Sequence, residues 1–378
     1  MHRTQRWLVT ALPALFTSFW LHAAAPAAAP KVLLVLSSEG RDAGKTRPGF
    51  EMDEFAKAWL TLRANGIQVD VASPAGGAPE ADRYNPGDDH IQRLQADGQA
   101  TAALQHTRRT QDVAVGEHAA VLVIGGKGAM FDLPRDAHLQ RLLTAHFEAG
   151  GVLAAVCHGP AALVPLKRAD GSPLVAGRRL TGFTDEEETT FGKRWAKEFP
   201  FLLESRLREL GAVWQEAPLM MPKLVVDGRL ITGQNPFSTV QVAEAIVRAL
   251  GRTPVALTAF REDASLALVE RWLAGERAPV QAALREGAAH YKPDLIGMLG
   301  HYQFKSATDN DQRRRALSVM ELAEPHFAHP RLRLTMAEAH IALGNPAAAR
   351  KLLTSVLAAE PKQEERDDAT RLLHALPG

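Results

Sequence analysis

The stretch Val152-Leu153-Ala154-Ala155-Val156-Cys157-His158-Gly159-Pro160 decides the fold. Its first five residues are a short apolar run of the kind a buried strand needs, and Gly-Pro-Ala-Ala from Gly159 opens a helix. Cys157 therefore falls on a tight strand-to-helix turn with its sulfur at a helix N-terminus. The partial positive charge there is expected to favour thiolate over thiol. A histidine follows at once. Solitary cysteines are commonly inert core residues; one on such an elbow, with His beside it, reads as a nucleophile. Cys157 is also the only cysteine in 378 residues, so the chain has no internal disulfide to form.

Outward from the elbow, strands and helices alternate. Lys31 to Ser37 reads as a buried strand, and Glu51 to Asn65 as a helix with Phe55, Trp59 and Leu62 on one face. Gly66 to Ser73 and Ala119 to Gly125 are further strands, and Leu139 to Ala149 is helical. Leu224 to Thr232 is a hairpin turning at Asp227-Gly228, and Ser238 to Leu250 closes the unit as a helix. This alternation calls for an α/β fold, with a doubly wound, mostly parallel sheet covered on both faces.

Gly251-Arg-Thr-Pro254 marks a boundary, giving a first domain over 30–251 and a second over 252–378. Beyond it strand signals vanish and Ala, Leu, Glu and Arg dominate. Ala337, His340, Gly344, Ala349, Leu353 and Pro361 fall close to the positions of a tetratricopeptide repeat, and Asp294 to Ala328 is a looser copy. An all-α helical-repeat domain is expected, with a plain helical bundle as the alternative. Two repeats are too few for a free solenoid, so this part should pack on the first domain or on a partner subunit. Leu334, Leu353 and Leu357 read as ordinary core.

The chain is 46% hydrophobic and 23% charged with net charge +1, which points away from nucleic acid and anionic surfaces. Residues 1–29 differ: a basic leader to Arg6, an apolar run from Trp7 to Leu21, then small residues with Ala-x-Ala sites. That is the pattern of a secretory signal peptide, with an uncleaved anchor as the alternative. The expected product is exported, periplasmic or secreted, meeting a membrane only transiently during export.

Residues 31 to 250 resemble the ThiJ/PfpI superfamily, and within it the heat-shock chaperone-glyoxalase branch. The resemblance is carried in order by Thr46-Arg-Pro-Gly-Phe-Glu-Met-Asp-Glu54, Val71-Ala-Ser-Pro-Ala-Gly-Gly77, Gly125-Gly-Lys-Gly-Ala-Met130, Ala155-Val-Cys-His-Gly159, Leu180-Thr-Gly-Phe-Thr-Asp-Glu-Glu-Glu188 and Thr232-Gly-Gln-Asn-Pro236. It implies the flavodoxin-like, class I glutamine-amidotransferase-like fold, in a family where dimers are common.

On the motif register, the resemblance makes Glu54 the acidic partner of Cys157, partly buried with a raised pKa so that it can hydrogen-bond to the sulfur and pass protons. Glu51 and Asp53 then read as ordinary acids of a first helical turn. It also implies a Cys157-His158-Glu188 arrangement, in which the carboxylate orients the imidazole. Gly125 and Gly126 fall where the family builds an oxyanion hole, with N–H groups of Gly126 and His158 as donors. The branch usually places His after these glycines; Lys127 departs from that. His90, His106 and His118 lie on polar stretches and read as surface residues without metal spacing. Gly125-Gly-Lys-Gly128 lacks the spacing and the Ser/Thr of a phosphate loop. No metal and no cofactor are expected.

The activity implied is a cysteine-dependent, glutathione-independent glyoxalase acting on small dicarbonyl substrates such as methylglyoxal. The alternatives are a holdase chaperone, a protein deglycase or peptidase using the same cysteine, and a redox sensor. The helical repeats are the expected seat of any protein partner.

Overall fold

The computed structural model describes His2 and residues 29–377; the signal-peptide reading lies outside them. The chain starts with β1 (Lys31–Val35), α1 (Met52–Ala64) and β2 (Gln68–Ser73). Next come α2 (Asp89–Gln95), α3 (Gly98–Gln105), β3 (Arg108–Arg109), β4 (Ala120–Val123), α4 (Ala137–Glu148) and β5 (Val152–Val156). The short strands β6 (Arg179–Leu180) and β7 (Val213–Trp214) pair with each other and enclose α5 (Asp185–Phe191) and α6 (Leu203–Glu209). The hairpin strands β8 (Leu224–Asp227) and β9 (Leu230–Gly233) lead into α7 (Thr239–Ala249).

The main sheet has the order β3-β2-β1-β4-β5-β9-β8, parallel throughout except for the β8–β9 hairpin. Every residue of β4 and β5 is buried. Because successive side chains point to opposite faces, both faces of the sheet must be covered. The hairpin turns through Gly228, whose positive φ of 61° suits glycine. The expected helix after Cys157 is instead a single 3₁₀ stretch, Gly159–Leu163.

Seven helices follow: α8 (Arg261–Leu273), α9 (Arg277–Glu286), α10 (Pro293–Ser306), α11 (Asn310–Ala323), α12 (Pro330–Ala342), α13 (Pro346–Ala358) and α14 (Gln363–His374). The two repeat copies fall on the pairs α10–α11 and α12–α13. Leu334 and Leu353 are buried and Leu357 packs beside them, as core. The helical region packs on the α/β part: Leu219, Met220 and Met221 share one apolar cluster with Leu266, Trp272, Leu299 and Met320. Among the described residues no helix is long and apolar enough to cross a membrane.

Candidate active site

Cys157 sits immediately after β5 with φ at 59°, in the left-handed region where a side chain costs about 1–3 kcal/mol. Its N–H donates to Gly233 O at 2.9 Å and its carbonyl accepts from Phe183 N at 2.8 Å, which pins the strained turn between β9 and the segment leading to α5. The next residue is back in the helical region, so two adjacent side chains can face each other. Cys157 Sγ lies 3.4 Å from His158 Nδ1, and His158 Nε2 lies 2.7 Å from Glu188 Oε2. One imidazole thus spans thiol and carboxylate, and the Phe183 ring packs on it with centroids 4.4 Å apart. Glu188 is held on α5 by a capping box, in which Thr184 Oγ1 accepts from Glu187 N and Glu187 accepts from Thr184 N.

Glu54 comes from the first turn of α1 and is fully buried. Its Oε2 accepts from Gly125 N at 2.7 Å, while Oε1 has no nitrogen or oxygen partner among the described residues, and the carboxyl faces the Cys157 thiol. The carboxyl and the Cys157 thiol influence each other directly. Burial, then the neighbouring Glu51, raises Glu54 well above the usual carboxylate range. Burial, then the charges of Glu54 and Glu51, raises the Cys157 thiol as well. This corrects the expectation of a thiolate favoured by a helix N-terminus: a five-residue 3₁₀ turn has little dipole, and Glu54 on α1 with Glu51 just before it opposes a negative sulfur. Buried neighbours of like charge do not both ionise readily, so thiol and carboxyl titrate as a coupled pair. Asp53, one residue earlier, turns away toward His90, with Oδ1 2.9 Å from Nε2.

The two glycines have separate duties. A Cβ on Gly125 would lie 2.7 Å from Val156 O and 2.8 Å from both Cys157 Cβ and His158 N. Only glycine lets the β4 loop approach the elbow this closely. The Gly125 N–H is spent on Glu54, so Gly125 is not an oxyanion donor; it positions the acid. Gly126 has φ 96°, and a Cβ there would meet Glu51 N at 2.5 Å. The Gly126 and His158 N–H groups make no hydrogen bond among the described residues, which leaves both available to an oxyanion.

These groups open on a cavity of about 220 Å³ lined by Glu51, Gly126, Lys127, Cys157, His158 and Glu187 on the polar side. Phe183, Phe191, Met220 and Phe237 form its apolar side. Glu51 is therefore a cavity residue rather than an ordinary first-turn acid; burial, then Asp53, pushes it up to about 8. Burial pushes Glu187 up to about 7 against hydrogen bonds from Asn235 Nδ2 at 2.8 Å and Met220 N at 3.2 Å. Sequence reasoning missed Glu187, although the Asn235 that holds it belongs to a quoted motif. Lys127, noted as a departure, faces into the cavity.

Two histidines expected at the surface are buried, His90 and His118, each on an aspartate: His90 on Asp53, His118 Nε2 on Asp70 Oδ2 at 2.9 Å. A polar stretch does not reveal that a partner carboxylate waits on another element. His106 is exposed, as expected. Asp53, Asp88 and His90 offer ligand atoms within 4.8 Å of one another. Lys292 Nζ already bonds Asp88 Oδ1 at 2.9 Å, so the cluster reads as an ion-pair network linking α1 and α2 to the helical region.

Residues 46–249 match the DJ-1/PfpI family and residues 307–376 match a tetratricopeptide repeat. The first match spans more than half of the chain, which belongs to the DJ-1/PfpI family. Among its relatives, the glutathione-independent glyoxalase HSP31 of Saccharomyces cerevisiae is 32% identical over 234 residues, 58% of this chain and 98% of that protein. Glyoxalase 3 of Candida albicans is 30% identical over 232 residues, again 58% of this chain and 98% of that protein. The crystal structure of glyoxalase III from Candida albicans superposes with a TM-score of 0.54 at 29% identity, covering 58% of this chain and 97% of that one.

Proposed function

We propose that the chain is a glutathione-independent glyoxalase, a lyase of the glyoxalase III type that converts methylglyoxal-like dicarbonyls to 2-hydroxy acids. The observation that carries this reading is a single cysteine thiol set between a high-pKa carboxyl, Glu54, and an imidazole braced by Glu188. The relatives named as glyoxalases support it.

In this reading the Cys157 sulfur adds to the aldehyde carbon, and the carbonyl oxygen takes the charge, stabilised by the Gly126 and His158 N–H groups. The thiol proton passes through Glu54 to that oxygen, giving a hemithioacetal. Glu54, again a carboxylate, removes the proton on the former aldehyde carbon and returns it to the neighbouring carbon through an enediol. His158 moves the remaining proton from the first oxygen to the second. The product is the thioester of lactate, and water releases lactate and restores the thiol. Every proton stays within the site, so the scheme needs no redox partner. The leader-like residues 1–29 support an exported enzyme, a setting in which independence from glutathione has a use.

The test is lactate formation from methylglyoxal without glutathione, measured beside Cys157→Ala and Glu54→Gln. Loss of turnover in both variants is expected; a wild-type protein that forms no lactate would sink the reading.

A further inference from the structure

The helical region lies outside the DJ-1/PfpI match, yet it touches the cavity's apolar side directly. Met220 belongs to the same apolar cluster as Leu299 and Met320, and Phe191 and Phe237 pack against that cluster. All three line the cavity. Two residues of α10 make the connection specific. The Tyr302 ring meets Phe191 edge-on, with centroids 4.9 Å apart. The neighbouring Gln303 donates from Nε2 to Leu219 O at 3.0 Å. Leu219 precedes Met220, which is held at φ 64° and donates its N–H to Glu187. Phe191 ends the same helix, α5, that presents Glu188 to His158. The wall and the catalytic line are thus two ends of one short helix, and α10 braces the wall end.

We propose that the helical region backs the substrate-selecting wall of the cavity, with Tyr302 and Gln303 as positioning residues that fix Phe191 and Met220 and so set the size of the dicarbonyl's side group. This rests on the dicarbonyl reading of the site. The chemistry of the reacting carbons belongs to the α/β part; the α10 contacts decide what may be attached to them. A wall of apolar rings, rather than charged groups, fits a hydrogen, methyl or other compact apolar substituent.

The experiment compares wild type with Tyr302→Ala, Tyr302→Phe and Gln303→Ala. Both positions are half-buried, and the Gln303 variant removes one hydrogen bond without disturbing the apolar core. The first readout is kcat/KM for phenylglyoxal relative to methylglyoxal. Tyr302→Ala and Gln303→Ala should raise that ratio by roughly tenfold, the scale on which apolar pockets discriminate, while Tyr302→Phe keeps the ring and the wild-type ratio. The second readout needs no turnover: the rate of Cys157 labelling by N-phenylmaleimide relative to iodoacetamide, which is unambiguous because the chain has one cysteine. That ratio should rise in the same two variants. Folded variants in which neither ratio moves overturn the proposal. If wild type forms no hydroxy acid but the labelling ratio still follows Tyr302 and Gln303, the wall stands and the glyoxalase reading falls.

Discussion

Lys57 has no exposed surface, and its ammonium lies 3.0 Å from both Glu262 Oε2 and Asp263 Oδ2. Lys57→Met keeps the volume and the apolar stem but strands Asp263 against the α/β part and leaves Glu262 with Lys292 as its one ammonium partner. Removing one partner from a buried pair costs about 3–5 kcal/mol, because the remaining charge loses its compensation. At about 2–4 °C per kcal/mol for a unit of this size, the melting temperature should fall by about 6–20 °C. The effect has a signature in pH. Burial alone would raise Glu262, but the Lys57 and Lys292 ammoniums hold it down to about 2. A carboxyl depressed in the folded state stabilises fully above its unfolded pKa, and that contribution is lost as pH falls from about 4.5 toward 2. The gap between wild type and Lys57→Met should therefore be full at pH 7 and narrow through that acid window. Adding Asp263→Asn to the lysine variant should recover part of the loss, while Glu262 keeps its bond to Lys292. Thermal melts followed by circular dichroism at several pH values check all three statements. A Lys57→Met protein that melts within 2 °C of wild type at pH 7, or a gap constant into acid, would refute the reasoning.

Two further perturbations address the site itself. Gly125→Ala puts a methyl group 2.7–2.8 Å from Val156 O, Cys157 Cβ and His158 N, none of which can swing aside. We expect a loss of about 1–3 kcal/mol in stability and, from displacement of the nucleophile, about 10²-fold in kcat/KM; an alanine variant with wild-type kinetics contradicts the close approach. Glu51 ionises at about 8, so turnover should decline as pH rises through that value and negative charge appears beside Glu54, and Glu51→Gln should flatten the alkaline limb. Because its pKa is raised in the folded state, Glu51 lowers stability progressively as pH rises from about 4.5 to 8; melts at pH 5 and pH 8 should therefore diverge less in the glutamine variant than in wild type.

Much of the site was legible because it is local. The elbow announces itself through an apolar run broken by Cys-His-Gly-Pro, whereas Glu54 and Glu188 are named only through the family resemblance; the structure sets Glu188 on the imidazole and Glu54 beside the thiol. What stayed hidden depends on convergence. Glu51, Lys127 and Met220 reach the cavity from separate segments, and Glu187 and Phe191 reach it from α5, so no single spacing in the chain ties the five together. The thiol's acidity stays hidden for the same reason: the dipole of the following turn can be read from its neighbours in sequence, whereas the burial and the charges of Glu54 and Glu51 that outweigh it cannot.

Lys57 shows how a local oddity can nonetheless carry long-range information. In α1, Phe55, Trp59 and Leu62 mark the face turned to the core, and Lys57 lies off that face, where a lysine ordinarily meets water. The structure buries Ala56, Lys57, Ala58 and Thr61 too, so α1 is enclosed on nearly all sides. A helix enclosed in this way needs a second layer above it, and a charge inside that layer needs a partner from it. Alanines flanking the lysine, in place of the longer polar residues of a solvated face, are the sequence trace of that layer. Most of that layer is α2 and α7; the helical region adds Glu262 and Asp263, which meet the charge at the start of α8. The same helix that presents Glu54 to the nucleophile is thus tied through Lys57 to the start of α8, which links the docking of the helical region to the placement of the acid.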